Sequence, residues 1–197
     1  TNSSMGLIGV KANVLFGSLT YDGALCDSLN NCSPYSTSNQ KDVIANSNFD
    51  FLIKTNTNFT WKVGLGYRYL YDTVSETGFY TRAGSWLYLP FGVLIDANMQ
   101  SSTKLQFDLT YSFVFYGGIK SSLSEVSSQF TDIYITQNGS AYNLGANFIF
   151  SKSFKAGVYI ERWDLNESNI STSGGRSFEE PKNNSVSYGA RLGYNFF

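Results

Sequence analysis

From Phe59 to Tyr71 the chain alternates almost without a break, and that alternation restricts the fold more than any other feature of the sequence. Phe59, Trp61, Val63, Leu65, Tyr67, Tyr69 and Tyr71 fall on one face; Thr60, Lys62, Gly64, Gly66, Arg68 and Leu70 fall on the other. A period of two puts successive side chains on opposite sides of an extended strand, so the segment reads as a β-strand with one apolar and one polar face. Its apolar face is longer than a strand of ordinary length, about 5–6 residues, would present.

The same template recurs along the chain. Ile8, Val10, Ala12, Val14 and Phe16 oppose Gly9, Lys11 and Asn13. Phe49, Phe51 and Ile53 oppose Asp50, Leu52 and Lys54. Leu87, Leu89, Phe91, Val93, Ile95 and Ala97 oppose Tyr88, Pro90, Gly92 and Asp96. Leu105, Phe107, Leu109, Tyr111, Phe113 and Phe115 oppose Gln106, Asp108, Thr110 and Ser112. Later come Tyr142 to Phe150, Phe154 to Glu161, and Val186 to Phe196. Eight such strands, most of them near the ~10 residues that cross a bilayer at a tilt of about 45°, predict an all-β, transmembrane, antiparallel up-and-down barrel. The stretch Phe130 to Asn138 continues the alternation through Ile133, Tyr134 and Ile135. It extends the sixth strand or, in a ten-stranded alternative, adds to the count.

Composition supports a barrel over a helical membrane protein. Aromatic residues make up 17% of the 197 residues and charged residues only 15%, against about 25% charged in soluble domains. The longest apolar run, Trp86 to Ile95, contains Pro90 and falls short of the roughly 18 residues of a membrane helix. A net charge of -1 provides no basic face for nucleic acid. The chain opens at Thr1 with no leader, as a mature exported protein or a trimmed one would.

The connections are expected to alternate in length. Short ones fall near 56–58, 98–103 and 151–153, and long ones span about 22–48, 72–84, 117–138 and 165–184. Sorting of short turns to one side and long loops to the other is a property of membrane barrels. A single domain over 1–197 follows, with both termini on the short-turn side. An even strand number leaves no edge unpaired in lipid.

The ending Gly193-Tyr194-Asn195-Phe196-Phe197 resembles the terminal strand of bacterial outer-membrane barrels, and the plan of the whole chain is similar to the small OmpA- and OmpX-type proteins. In this chain Phe196, rather than Phe197, shares the outward face. The resemblance implies location in a bacterial outer membrane, with periplasmic termini and long loops extracellular. It also implies two partners: outer-membrane lipid or lipopolysaccharide, and the insertion machinery that reads the last strand. A monomer with no cofactor is expected.

Candidate sites follow from the faces. Inward charges are Lys11, Lys54, Lys62, Arg68, Lys155 and Arg191 against Asp50, Asp96, Asp108 and Glu161. These nearly balanced signs predict a lumen filled by paired charges, because eight strands enclose just enough room for side chains. A narrow ion path is the alternative. Trp61, Tyr69, Tyr71, Tyr194 and Phe196 are expected in aromatic girdles at the lipid boundaries. Cys26 and Cys32, in an exported chain, predict a disulfide. With no histidine in the sequence, two thiols do not make up a tetrahedral zinc set. Asn166 and Asn169 sit in Asp164-Leu165-Asn166-Glu167-Ser168 and Glu167-Ser168-Asn169-Ile170-Ser171, which resemble the acidic extended glycosylation site of some bacteria; a plain solvated loop is the other reading.

Outer-membrane hydrolases of this architecture rely on a histidine as base or base partner, and no carboxylate pair stands out to replace it, so a non-enzymatic protein is expected. Loops on a rigid scaffold are where recognition sits, and a host or surface ligand is the expected partner. Exposed aromatics such as Tyr35, Phe79 and Tyr80 suit carbohydrate. A small channel or conduit for hydrophobic solutes, and a soluble ligand-binding barrel, are the rival readings.

Overall fold

The structure, a computed structural model, describes residues 6–26, 32–73, 80–98, 103–150 and 154–194; of these, 18–26, 32–40, 98 and 194 are described by their backbone only. The strands are β1 (Gly6–Cys26), β2 (Cys32–Lys54), β3 (Phe59–Thr73), β4 (Arg82–Asn98), β5 (Lys104–Ser121), β6 (Ile133–Thr136), β7 (Gly139–Ile149), β8 (Phe154–Leu165), β9 (Ser171–Ser173), β10 (Arg176–Phe178) and β11 (Asn183–Tyr194). No helix among the described residues is long and apolar enough to cross a membrane, which leaves crossing by strands open.

Eight strands pair antiparallel in the order β1-β2-β3-β4-β5-β7-β8-β11, each with its neighbour in sequence apart from the short pieces. The sheet curls so far that side chains of β3 reach β8, and β5 reaches β11, across its concave side. Among the described residues no ladder joins β11 back to β1. The sheet is therefore a curled half-barrel with two free edges rather than the closed cylinder expected.

Strand lengths depart from expectation at one end. The span 22–48, expected as a long loop, is largely ladder, because β1 runs to Cys26 and β2 starts at Cys32. β2, expected to be short, is 23 residues long. Its upper part is rich in Ser, Thr and Asn, so the apolar alternation disappears while the backbone continues to pair. Among the described residues, above the pair Lys41↔Thr73 β2 has β1 alone as its partner, and a two-stranded arm projects past the rest of the sheet.

The 117–138 span is also partly ordered strand. β5 continues to Ser121, and β6 pairs with its last residues, Gly118 to Ser121, before β7 takes over from Val114 downwards. A bulge marks this change. Leu87 pairs with Tyr116 and Tyr88 with Val114, so Phe115 is the extra residue in β5. Of the spans expected as loops, 165–184 keeps most of its irregular structure. Its β9–β10 hairpin turns on Gly174 and Gly175 at φ 56° and 73°, the left-handed region that a two-residue hairpin turn requires and that glycine enters without strain.

The short connection at 55–58 explains itself locally. The Asn56 side chain accepts hydrogen bonds from the backbone N–H groups of Asn58 (2.9 Å) and Phe59 (2.8 Å), and Thr55 N–H donates to Phe59 O at 3.1 Å. An asparagine that bonds the backbone two residues on is a turn-former.

Burial is inverted relative to a water-soluble domain. The convex face exposes Val10, Phe16, Phe51, Leu65, Phe91, Leu109, Phe113, Leu144, Val158 and Leu192, while the concave face buries Asp50, Lys62, Arg68 and Asp108. Buried apolar side chains gather at the long-connection end, around Trp86, Tyr88 and Trp163.

Candidate functional site: the charged lumen and its cap

Asp108, on the concave side of β5, is the centre of the inward charges. It pairs with Lys62 Nζ at 2.7 Å and with Arg191 Nη2 at 3.4 Å, and it accepts the Thr110 hydroxyl at 2.8 Å. Two cations from non-adjacent strands on one carboxylate offset the cost of taking all three charges out of water. Arg191 Nε also donates to Asn147 Oδ1 at 2.7 Å. The guanidinium lies against Gly145, where a Cβ would collide with it. Asp50, Lys11 and Lys155 lie within charge–charge range of this group.

Arg68 forms the next layer. Its Nη1 lies 3.8 Å from Glu161 Oε2 and donates to Asn46 Oδ1 at 3.4 Å, while its Cζ sits 4.3 Å from the Trp163 ring centre. A cation over an indole face is attracted by the ring quadrupole, the more so when desolvated. Tyr88 meets the same indole edge-on, with centroids 5.1 Å apart, and donates its hydroxyl to Asn48 Oδ1 at 2.7 Å. Of the remaining inward candidates, Asp96 accepts from Gln106 Nε2 at 2.8 Å, apart from the cluster, and Lys54 is exposed at the end of β2.

Above Arg68 the concave side turns apolar. Trp86 (1% exposed) and Trp163 (3%) pack with Val114, Ile119, Ile133 and Ile135. A single 3-10 turn at Leu123–Glu125 and the β9–β10 hairpin fold over them. Thr131 N–H donates to Ser173 Oγ at 2.7 Å, Phe130 meets Phe178 edge-on at 6.0 Å, and Arg176 lies 5.6 Å over the Phe130 ring. This cap was not foreseen. Its signal was the Trp86 to Ile95 run, where Trp86, Tyr88 and Pro90 place apolar surface on the face expected to be polar.

The rim rung runs from Asp42 to its register partner Asp72 and on to Arg82. Arg82 bridges Asp72 at 3.6 Å and, more tightly, Glu180 of the 166–182 segment at 2.6 Å. Burial pushes the Asp42 carboxyl up to about 6, Asp72 adds to that, and Arg82 opposes it. Burial also raises Glu180. Beyond the rim, hydrogen bonds from Ser124 and Lys120 hold the exposed Asp132 below the usual carboxylate range. Among the described residues, no group of three or more Cys, Asp or Glu is placed to hold a metal ion.

Of the girdle candidates, Trp61 is exposed and stacks on Phe91 at 5.7 Å, Tyr71 is exposed and Tyr69 is half-buried. The side chain of Tyr194 and all of Phe196 lie outside the described residues. An edge-on pair of exposed tyrosines, Tyr111 and Tyr142 at 5.2 Å, joins the convex aromatics and was not singled out from sequence. Cys26 and Cys32 occupy directly opposed positions of the β1–β2 ladder, with their side chains outside the description. Asn169 Oδ1 accepts from the Thr136 N–H and hydroxyl, and Asn166 Nδ2 donates to Asn138 Oδ1 at 2.7 Å. The two asparagines thus tie the 166–182 segment to the end of β6 and to the connection between β6 and β7. Tyr80 packs against the cap; Phe79 lies outside the described residues and Tyr35 is described by its backbone only.

The sequence matches no protein-family model and no curated protein. The functional reading therefore rests on the residues themselves.

Proposed function

We propose that the chain is an integral outer-membrane β-barrel, non-enzymatic, that presents its long-connection end for interaction at the cell surface while a charged and apolar plug fills its lumen. The observation that supports this is the inverted burial. Phe91 is 55% and Leu109 40% exposed on the convex face, while Lys62 at 8% and Arg68 at 6% are buried on the concave one. An apolar patch of this extent on a water-soluble monomer would drive association; lipid tails cover it at no such cost.

In a bilayer, the free edges of β1 and β11 would each leave backbone groups unpaired at several kcal/mol apiece, so the two strands close on one another there. The termini then face the periplasm. The projecting β1–β2 arm and the 166–182 segment face outward, where a host or surface ligand meets them. The insertion machinery and outer-membrane lipid are the partners of assembly. Across the arm, Cys26 and Cys32 form a disulfide; intact-mass measurement after alkylation, with and without reductant, is expected to find no free thiol before reduction.

The test of the main reading is folding in detergent or lipid with a gel mobility that changes on heating. Folding to a monomer in plain buffer would overturn it in favour of a soluble barrel. The apolar cap favours the sealed lumen over the channel reading.

A further inference from the structure

The lumen carries more positive charge than its own carboxylates neutralise. Lys11, Lys62, Lys155 and Arg191 converge within charge–charge range of one another, and Asp50 and Asp108 are the carboxylates set among them. Asp108 is already shared by Lys62 and Arg191. Glu161, the carboxylate that acts most strongly on Lys11, is shared with Arg68, so Lys11, Lys62, Arg68, Lys155 and Arg191 face three carboxylates, Asp50, Asp108 and Glu161. Among the described residues, none of the ion pairs within 4.0 Å uses Lys11 or Lys155.

What these two lysines do touch is informative. Lys11 Nζ, from β1, lies 5.9 Å from the Tyr159 ring centre, and Arg191 Cζ, from β11, lies 6.0 Å from the same centre. Lys155 runs along Gly193, where a Cβ would meet its aliphatic stem. Lys11 and Arg191 thus meet at one ring, with Lys155 in charge–charge range of both, and of the three only Arg191 has a carboxylate within 4.0 Å, the Asp108 it shares with Lys62. Burying cations in that state is costly, and a bound anion reverses the sign of the cost.

We infer that the concave side binds a small soluble oxyanion, such as phosphate or sulfate, between Lys11, Lys155 and Arg191. A compact tetrahedral anion suits lysine, a point charge with three rotatable donors, and arginine, whose fork engages two oxygens. The anion comes free from solution, because these residues are on the concave face and the apolar convex face meets the lipid. The inference rests on that face being an enclosed lumen, the reading proposed above.

The test uses the full chain folded in a non-ionic detergent without phosphate, titrated with inorganic phosphate against chloride at matched ionic strength. Thermal stability is expected to rise saturably with phosphate and not with chloride. Lys11→Met with Lys155→Met is expected to weaken the phosphate response by roughly tenfold or more, about 1.4 kcal/mol, while Lys155→Arg keeps it. Equal effects of the two anions, or an undiminished response in the double variant, would overturn the site. So would loss of the response in Lys155→Arg. A detergent with a phosphate headgroup tests the lipid source: stabilisation without free phosphate as large as that from phosphate itself would overturn the assignment to a soluble anion. Heat-modifiable mobility of the same samples separates the two readings. Its loss counts against the barrel; a missing phosphate response with mobility intact counts against the site alone.

Discussion

Asp42 is a carboxylate placed where its charge is unwelcome: buried at the rim, opposite Asp72, with Arg82 one strand further on. Its folded-state value of about 6 lies above the ordinary 3.8, so the folded chain holds the proton more tightly than the unfolded chain does. Stability is therefore expected to fall as pH rises from about 4 to 6 and then to level off. Asp42→Asn is expected to remove that slope and to stabilise the protein by about 1–2 kcal/mol at pH 8, measured by thermal unfolding at several pH values. An unchanged slope would place the titration elsewhere. A second residue-scale contrast tests the faces. Leu109→Arg is expected to cost roughly 2–4 kcal/mol when Leu109 lies near the bilayer midplane, whereas Ser112→Arg, on the buried concave side, responds to lumen packing and not to bilayer thickness. Unfolding titrations in bilayers of two thicknesses distinguish them. At this scale the alternation already placed Lys62, Asp108 and Arg191 on one face. That Lys62 and Arg191 share Asp108 was not legible, because it depends on how far the sheet curls.

At the scale of elements, sequence patterning reports the apolar convex face better than it reports strand. The apolar alternation marks the part of β3 from Phe59 to Tyr71, but β1 and β2 pair up to Cys26↔Cys32 through residues with no apolar periodicity. Backbone hydrogen bonding sustains the arm, and it leaves no mark on the pattern of side chains. The cap was hidden for a related reason. Trp86, Trp163 and Ile135 belong to different strands, and only their stacking at one end makes a core of them. The 166–182 segment closes that core through the Arg82–Glu180 pair and the Ser173 contacts with Thr131. Glu180→Gln removes the charge from one side of the pair. Loss of ~1 kcal/mol there raises the open population of the segment roughly fivefold. Limited proteolysis is expected to nick 166–182 correspondingly faster while the main sheet stays intact. An unaltered rate would mean that Phe130, Phe178 and the Ser173 hydrogen bonds hold the segment without Arg82.

For the whole molecule, read as the closed barrel proposed above, the two halves of its lumen make different demands. The charged half, around Asp108 and Arg191, is wettable, and on its own would let ions in from the short-turn side. The apolar half, around Trp86 and Trp163, presents almost no exposed surface and lies across the path of anything entering from the long-connection end. Ions cross a constriction only when it is wet, and an apolar one resists wetting. In planar bilayers the native chain is therefore expected to be electrically silent. Trp163→Ala removes the indole that meets both Tyr88 and Arg68, and Trp86→Ala removes its neighbour in the cap. Each truncation of a buried tryptophan costs about 3–5 kcal/mol, so heat-modifiable mobility is checked first to show that the double variant still folds. Given that, the double variant is expected to show unit conductance steps. The excess of Lys11, Lys62, Lys155 and Arg191 over nearby carboxylates makes those currents anion-selective, and Lys11→Met with Lys155→Met in the same background reduces that selectivity. Steady currents from the native chain would reverse the assignment of plug and path, because conduction through an intact Trp86–Trp163 layer needs an opening that the cap does not contain.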